Sequence, residues 1–164
     1  MRTLNATKIG VITGVCLILL QLFFFIVIKL PVESPAKYFI YFIYAAGITW
    51  SLVYFNKSLT ETAGIKDFFA TGFKTFIVAT LFMVIYTFIF YKLHPEISQA
   101  VITNNSQQLK LQGNHTPKEI ADNAVQLKNI FIPMMLSITT LLYLFFGAII
   151  TLLISVIILQ TKKN

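Results

Sequence analysis

Charge is missing from four long stretches of this chain: no Asp, Glu, Lys, Arg or His occurs in 9–28, 38–55, 75–91 or 130–159. Each stretch is about long enough to cross a bilayer, because a helix rising about 1.5 Å per residue needs about twenty apolar residues to span roughly 30 Å of hydrocarbon. Charged residues make up 12% of the 164 and hydrophobic ones 57%. A soluble domain carries about a quarter charged residues, so a water-soluble core does not account for this composition. Cysteine is almost absent. Cys16 stands alone inside the first apolar stretch, which excludes an intrachain disulfide and a cysteine-based metal cage. The lack of any ionisable group within the four stretches speaks against proton relays and ion-coupled transport, which place Asp, Glu, His, Lys or Arg inside the membrane. Broken helices at matching positions in two halves are missing too. No HExxH or comparable ligand spacing occurs. The outward residues with acid-base or ligand chemistry, His94, His115, Glu96, Glu119 and Asp122, read as solvated groups of a polar segment. No catalytic, cofactor-binding or metal-binding residue is therefore expected, and no enzyme activity.

What remains is an all-α membrane protein. We expect one domain over 1–164, with transmembrane helices at about 9–28, 38–55, 73–91 and 134–159 forming a four-helix bundle, and an extramembrane helical hairpin at about 94–130 between the third and fourth spans. The first stretch holds fifteen Leu, Ile, Val and Phe residues. At about −0.3 to −0.6 kcal/mol each, they give a gross insertion free energy of roughly −5 to −9 kcal/mol, which Thr13 and Gln21 do not reverse. Cleavage as a signal peptide at Ser34-Pro35-Ala36 is the alternative, but the apolar stretch exceeds an ordinary h-region and proline suits a cleavage site poorly. The second stretch carries Tyr38 and Tyr41 near one end and Trp50, Tyr54 and Phe55 near the other, as headgroup-level aromatic belts do, with Tyr44 deeper and facing a neighbouring helix. Ahead of the third, 65–74 places Ile65, Phe68, Phe69, Gly72 and Phe73 on one helical face, which reads as an interfacial helix leading into the span. The fourth is too long for an untilted span, and Pro133 is expected to kink its start.

The net charge of +7 does not point to nucleic acid, because Lys8, Lys29, Lys37, Lys57, Lys74 and Lys92 lie at or near span ends and read as lipid-headgroup anchors. Four spans place both termini on one side. That side holds Arg2, Lys8, Lys57, Lys66, Lys74, Lys162 and Lys163, against Lys29, Lys37, Lys92, Lys118 and Lys128 near span ends on the other, so the positive-inside rule assigns the termini to the cytoplasm. The polar segment 92–129 then faces outward.

Small residues recur at helical spacing. Gly10 and Gly14 form a GxxxG, while Ser137, Thr140, Gly147, Thr151 and Ser155 line one stripe of the fourth span, and both sets are candidate helix-packing residues. Gln21, Thr49, Ser51 and Thr80 are the intramembrane polar groups that could hydrogen-bond to neighbouring helices or line a path. In the outer segment, His94-Pro95-Glu96 starts one helix that Gly113 stops, with Ile97 and Val101 facing the membrane or the partner helix. Thr116-Pro117-Lys118-Glu119 starts a second through an N-cap, a proline at the first helical position and a reciprocal glutamate, after which Ile120, Ala124, Leu127 and Phe131 share a face. This pair of helices would cap the bundle or dock an envelope partner. The segment 25–33 also echoes 88–96 without gaps, which would imply two hairpins in parallel repetition.

The run 64–73, the tyrosine-rich exit into Lys92-Leu93-His94-Pro95, the Thr116-Pro117-Lys118-Glu119-Ile120 segment and a Gly147-Ala148 fourth span ending in lysines resemble bacterial domain-of-unknown-function family 4199 over essentially the whole chain. The resemblance implies a small four-span inner-membrane protein and brings no established site residue with it. The functional expectation is thus a non-enzymatic scaffold or interaction subunit in the lipid bilayer, associating with itself or with an envelope protein. A small oligomeric transporter or channel subunit is the alternative.

Overall fold

The computed structural model describes residues 5–29, 37–59 and 63–161, and among these every regular element is helical. The possible cleavage site at Ser34-Pro35-Ala36, the basic residues Arg2, Lys162 and Lys163, and the 30–33 portion of the internal echo lie outside the described residues.

Helix α1 is Ala6–Leu22, and Asn5 caps it by accepting the Lys8 N–H at 2.9 Å. It runs into a π-helical turn, Phe23–Val27, and Lys29 then takes a left-handed φ of 54°. Helix α2 is Lys37–Lys57, α3 is Ile65–Leu93, α4 is Pro95–Gln112 and α5 is Pro117–Thr161. Four segments are long and apolar enough to cross a membrane: Ala6–Val27, Tyr38–Lys57, Ile65–Leu93 and Pro117–Thr161.

Two helices are longer than the sequence pattern implied. The stretch 65–74, read as an interfacial helix leading into the span, forms the first turns of α3, which is unbroken over 29 residues. The second outer helix and the fourth span are likewise a single helix of 45 residues, with Pro133 inside it. Proline removes one backbone donor and usually breaks a soluble helix, yet side chains can re-satisfy the freed groups. The acceptor that Pro133 leaves without its helical donor is the carbonyl of residue 129; the Ser137 hydroxyl bonds one turn further on, donating to the Pro133 carbonyl at 2.9 Å. Within the described part of the internal echo, Phe25–Val27 lies in the π-helical turn whereas 88–90 is regular α-helix.

The chain divides into two compact units, one of Met1–Met83 with Thr140–Asn164 and one of Val84–Thr139. The interior of the first is built from Ile9 and Leu17 of α1, Tyr44, Ile48 and Leu52 of α2, Phe68, Phe76, Ala79 and Met83 of α3, and Thr151 and Ser155 of α5. Lipid tails are as apolar as leucine, so burial alone gives such helices little reason to associate, and close packing and interhelical hydrogen bonds must do so.

The second unit holds α4 beside the first turns of α5. Tyr91 meets Phe131 edge-on at 5.2 Å between centroids, the Asn105 amide donates to the Asn123 side-chain carbonyl at 2.9 Å, and Ile102 is buried. Ile102 is the buried residue of α4, and Val101 is 37% exposed, which leaves a membrane-facing position open to it. The ends of these helices follow local chemistry. Gly113 closes α4 at φ 71°, a left-handed conformation that costs other residues steric strain. At the start of α5 the Glu119 carboxylate accepts from the Thr116 N–H at 2.7 Å and its hydroxyl at 3.0 Å, while the Thr116 hydroxyl accepts the Glu119 N–H at 3.3 Å. These bonds, the backbone one foremost, hold the Glu119 carboxyl below its ordinary range and keep it an acceptor at neutral pH.

Candidate functional site

The first unit is assembled by glycines that each admit a neighbour. A Cβ on Gly10 would stand 2.7 Å from the Thr75 carbonyl oxygen and 3.0 Å from the Val78 Cβ, and one on Gly14 would stand 2.7 Å from the Phe82 Cβ. The GxxxG of α1 therefore packs against α3 of the same chain. Gly47 of α2 receives the side chain of Thr13, and Gly72 of α3 receives that of Thr151. Neither glycine stood out in the sequence as a packing residue, because neither belongs to a GxxxG; the signal was the threonine each would meet on another helix. Around Gly147 the approach is also polar. Its absent side chain leaves room for the Tyr44 hydroxyl, which would lie 2.6 Å from a Cβ there, and for Phe76 at 2.7 Å.

Tyr44 is the largest fully buried side chain, and its hydroxyl donates to the Tyr143 carbonyl at 2.9 Å. Carbonyl 143 is the one whose ordinary helical partner is the N–H of residue 147, and without a Cβ at 147 its second lone pair is open to the tyrosine. The Tyr44 and Tyr143 rings also meet edge-on at 5.0 Å, a favoured aromatic geometry. Thr80 lies 3.5 Å from the same hydroxyl.

The small-residue stripe of α5 is shifted from its expected course. Tyr143, Gly147, Thr151 and Ser155 are its buried members, whereas Ser137 is exposed and Thr140 half-buried. A four-residue step continues the buried line back from Ser155 to Tyr143, and the large aromatic at 143 was hidden from a search for small residues. The Ser155 hydroxyl donates to the Thr151 carbonyl at 2.6 Å, while the buried Thr151 hydroxyl has no partner and packs as an apolar group beside Gly72.

Of the intramembrane polar residues, Gln21 is half-buried, and Thr49 donates to the Ala45 carbonyl of its own helix at 2.8 Å. Ser51 is 1% exposed and lies 2.6 Å from the Thr75 hydroxyl, which is 3.2 Å from the carbonyls of both Ala6 and Thr71. Each hydroxyl has one proton. The arrangement closes when Ser51 donates to Thr75 and Thr75 donates to the two carbonyls, tying α1, α2 and α3 together.

Ser51 of this relay lines a cleft of about 280 Å³, together with Asn5, Ala6, Thr7, Tyr54, Phe55, Ser58, Thr71 and Lys74. One and two turns deeper along α2 and α3, Ile48, Tyr44, Ala79 and Met83 are at most 1% exposed, so packed side chains follow beyond Ser51. In the second unit, His94 Nδ1 and a Glu96 carboxylate oxygen are 2.8 Å apart. The Glu96 carboxyl is held below its ordinary range, first by its own backbone N–H and then by His94. Among the described residues, no group of three His, Cys, Asp or Glu side chains is placed to hold a metal ion.

Among the described residues every regular element is helical, and four apolar helices have membrane-crossing length, as in a multi-pass membrane protein. The model of the family described as "Protein of unknown function (DUF4199)" matches residues 8–160, and the chain belongs to that family. No curated protein and no solved structure matches it.

Proposed function

We propose that the protein is a non-enzymatic, four-helix bundle of the inner membrane, both termini cytoplasmic, whose outward hairpin of α4 and the start of α5 associates with an envelope partner or a second copy. The observation that supports this reading most is the internal commitment of the spans. Their glycines receive side chains of the same chain, and Tyr44, Ser51 and Thr49 have hydrogen-bond acceptors within it. A conducting or transporting route needs polar groups turned toward water. The helix pair, by contrast, leaves Leu111 86% and Val125 60% exposed, apolar side chains that a partner would cover.

A photoreactive side chain at Leu111 or Val125 should give a discrete protein adduct in native membranes, while one at the exposed Leu141 of the fourth span gives none. Adducts absent from both outward positions would remove the interaction reading. Orientation has its own test. In a chain with Cys16→Ala, Gln107→Cys should react with an impermeant maleimide once any outer membrane is permeabilised, and labelling that requires lysis would place this segment in the cytoplasm.

A further inference from the structure

We propose that the cleft lined by Ser51, Tyr54 and Lys74 binds the phosphate group of an anionic phospholipid.

Its depth supports a lipid source. The cleft is built from the start of α1, the last turns of α2, and Thr71 and Lys74 of α3. Charge-free sequence begins at Ile9, ends at Phe55 and begins again at Thr75, so these three boundaries meet around one opening at the level where hydrocarbon gives way to headgroups.

Its chemistry supports an oxygen anion. Lys74 supplies a positive charge, and no carboxylate stands among the described lining residues. The Ser51, Ser58 and Thr71 hydroxyls already have acceptors or partners within the chain. The side chains of Lys74, Tyr54 and Thr7 make no hydrogen bond to another described residue, which leaves an ammonium and two hydroxyls to donate. A phosphate, with several acceptor oxygens and a net negative charge, matches that set, and its bonds to a cation are of the stronger, charge-assisted kind. Phe55 and the Tyr54 ring add apolar wall on the same cleft. A ring with a polar tip suits a site that is wet at one end and greasy at the other.

The test is retention of lipid by the full chain, read by native mass spectrometry from detergent with phosphatidylglycerol or phosphatidylcholine as the probe. Phosphatidylglycerol should be held about five- to tenfold more tightly than phosphatidylcholine, Lys74→Gln should cut that preference to about twofold or less, and Tyr54→Phe should weaken it by about two- to threefold. Lys66→Gln, an exposed lysine outside the cleft on the same helix, should leave the preference intact. Inorganic phosphate at about 20 mM should not displace the lipid, because each buried methylene of a lipid anchor adds about 0.8 kcal/mol that a free ion lacks. Equal retention of the two lipids, or a preference that survives Lys74→Gln, overturns the proposal. Displacement by inorganic phosphate overturns the lipid assignment and gives the cleft to a soluble phosphate.

Discussion

Gly147→Leu is expected to lower the unfolding temperature in detergent by roughly 6–12 °C, corresponding to about 3 kcal/mol of overpacking in a protein of this size. The first added carbon would sit 2.6 Å from the Tyr44 hydroxyl and 2.7 Å from the Phe76 Cγ, both closer than a real Cβ approaches its neighbours. Neither neighbour can yield easily. Tyr44 is fully buried and bonded to Tyr143, and Phe76 is 2% exposed. Three helices, α2, α3 and α5, converge on this one position, so relief at any of them shifts the other contacts. Gly64→Ala is the matched control, because a Cβ there meets nothing nearer than the Asp67 carboxylate at 3.9 Å. Unchanged unfolding in Gly147→Leu would mean that this face of α5 does not pack against α2 and α3 in solution.

That position also shows how far the sequence could be read. The absence of charge placed four apolar helices correctly, because a bilayer penalises any ionised group strongly enough to write a pattern visible residue by residue. Helix ends outside the apolar stretches were legible for the same kind of reason: Thr116 with Glu119, and Gly113, act through neighbours three residues away or through their own backbone. The continuity of α3 and α5 was not legible. Whether 65–74 lies along the interface or extends a span, and whether Pro133 ends a helix or rides inside one, depends on packing, which local propensity does not carry.

The site followed the same division. Gly10, Gly14, Ser137, Thr140, Gly147, Thr151 and Ser155 are candidates by spacing alone, but spacing says nothing about which helix fills a gap. Gly10 and Gly14 face α3, Gly147 faces both α2 and α3, and Ser137 is exposed. The cleft was invisible because its nine lining residues come from three segments far apart in the chain, and no periodicity links Asn5 to Ser58 or Lys74.

Tyr44→Ala should be nearly as damaging as Gly147→Leu, at about 3–5 kcal/mol, since deleting a buried aromatic ring removes its contacts and leaves a cavity the rigid helices fill poorly. Tyr44→Phe separates the ring from its hydroxyl. It keeps the edge-on contact with Tyr143 and loses only the bond to carbonyl 143, so it should cost about 0.5–1.5 kcal/mol. The decisive measurement is the pair with Gly147→Ala. A methyl at 147 would stand 2.6 Å from the Tyr44 oxygen and push it off the carbonyl, so in that background the hydroxyl has little left to contribute. Tyr44→Phe should then be close to neutral, giving a coupling of about 0.5–1.5 kcal/mol between two residues a hundred positions apart in sequence. Strict additivity would show instead that the hydroxyl finds another acceptor, with Thr80 at 3.5 Å the nearest on α3, and that Gly147 is small for the sake of Phe76 alone.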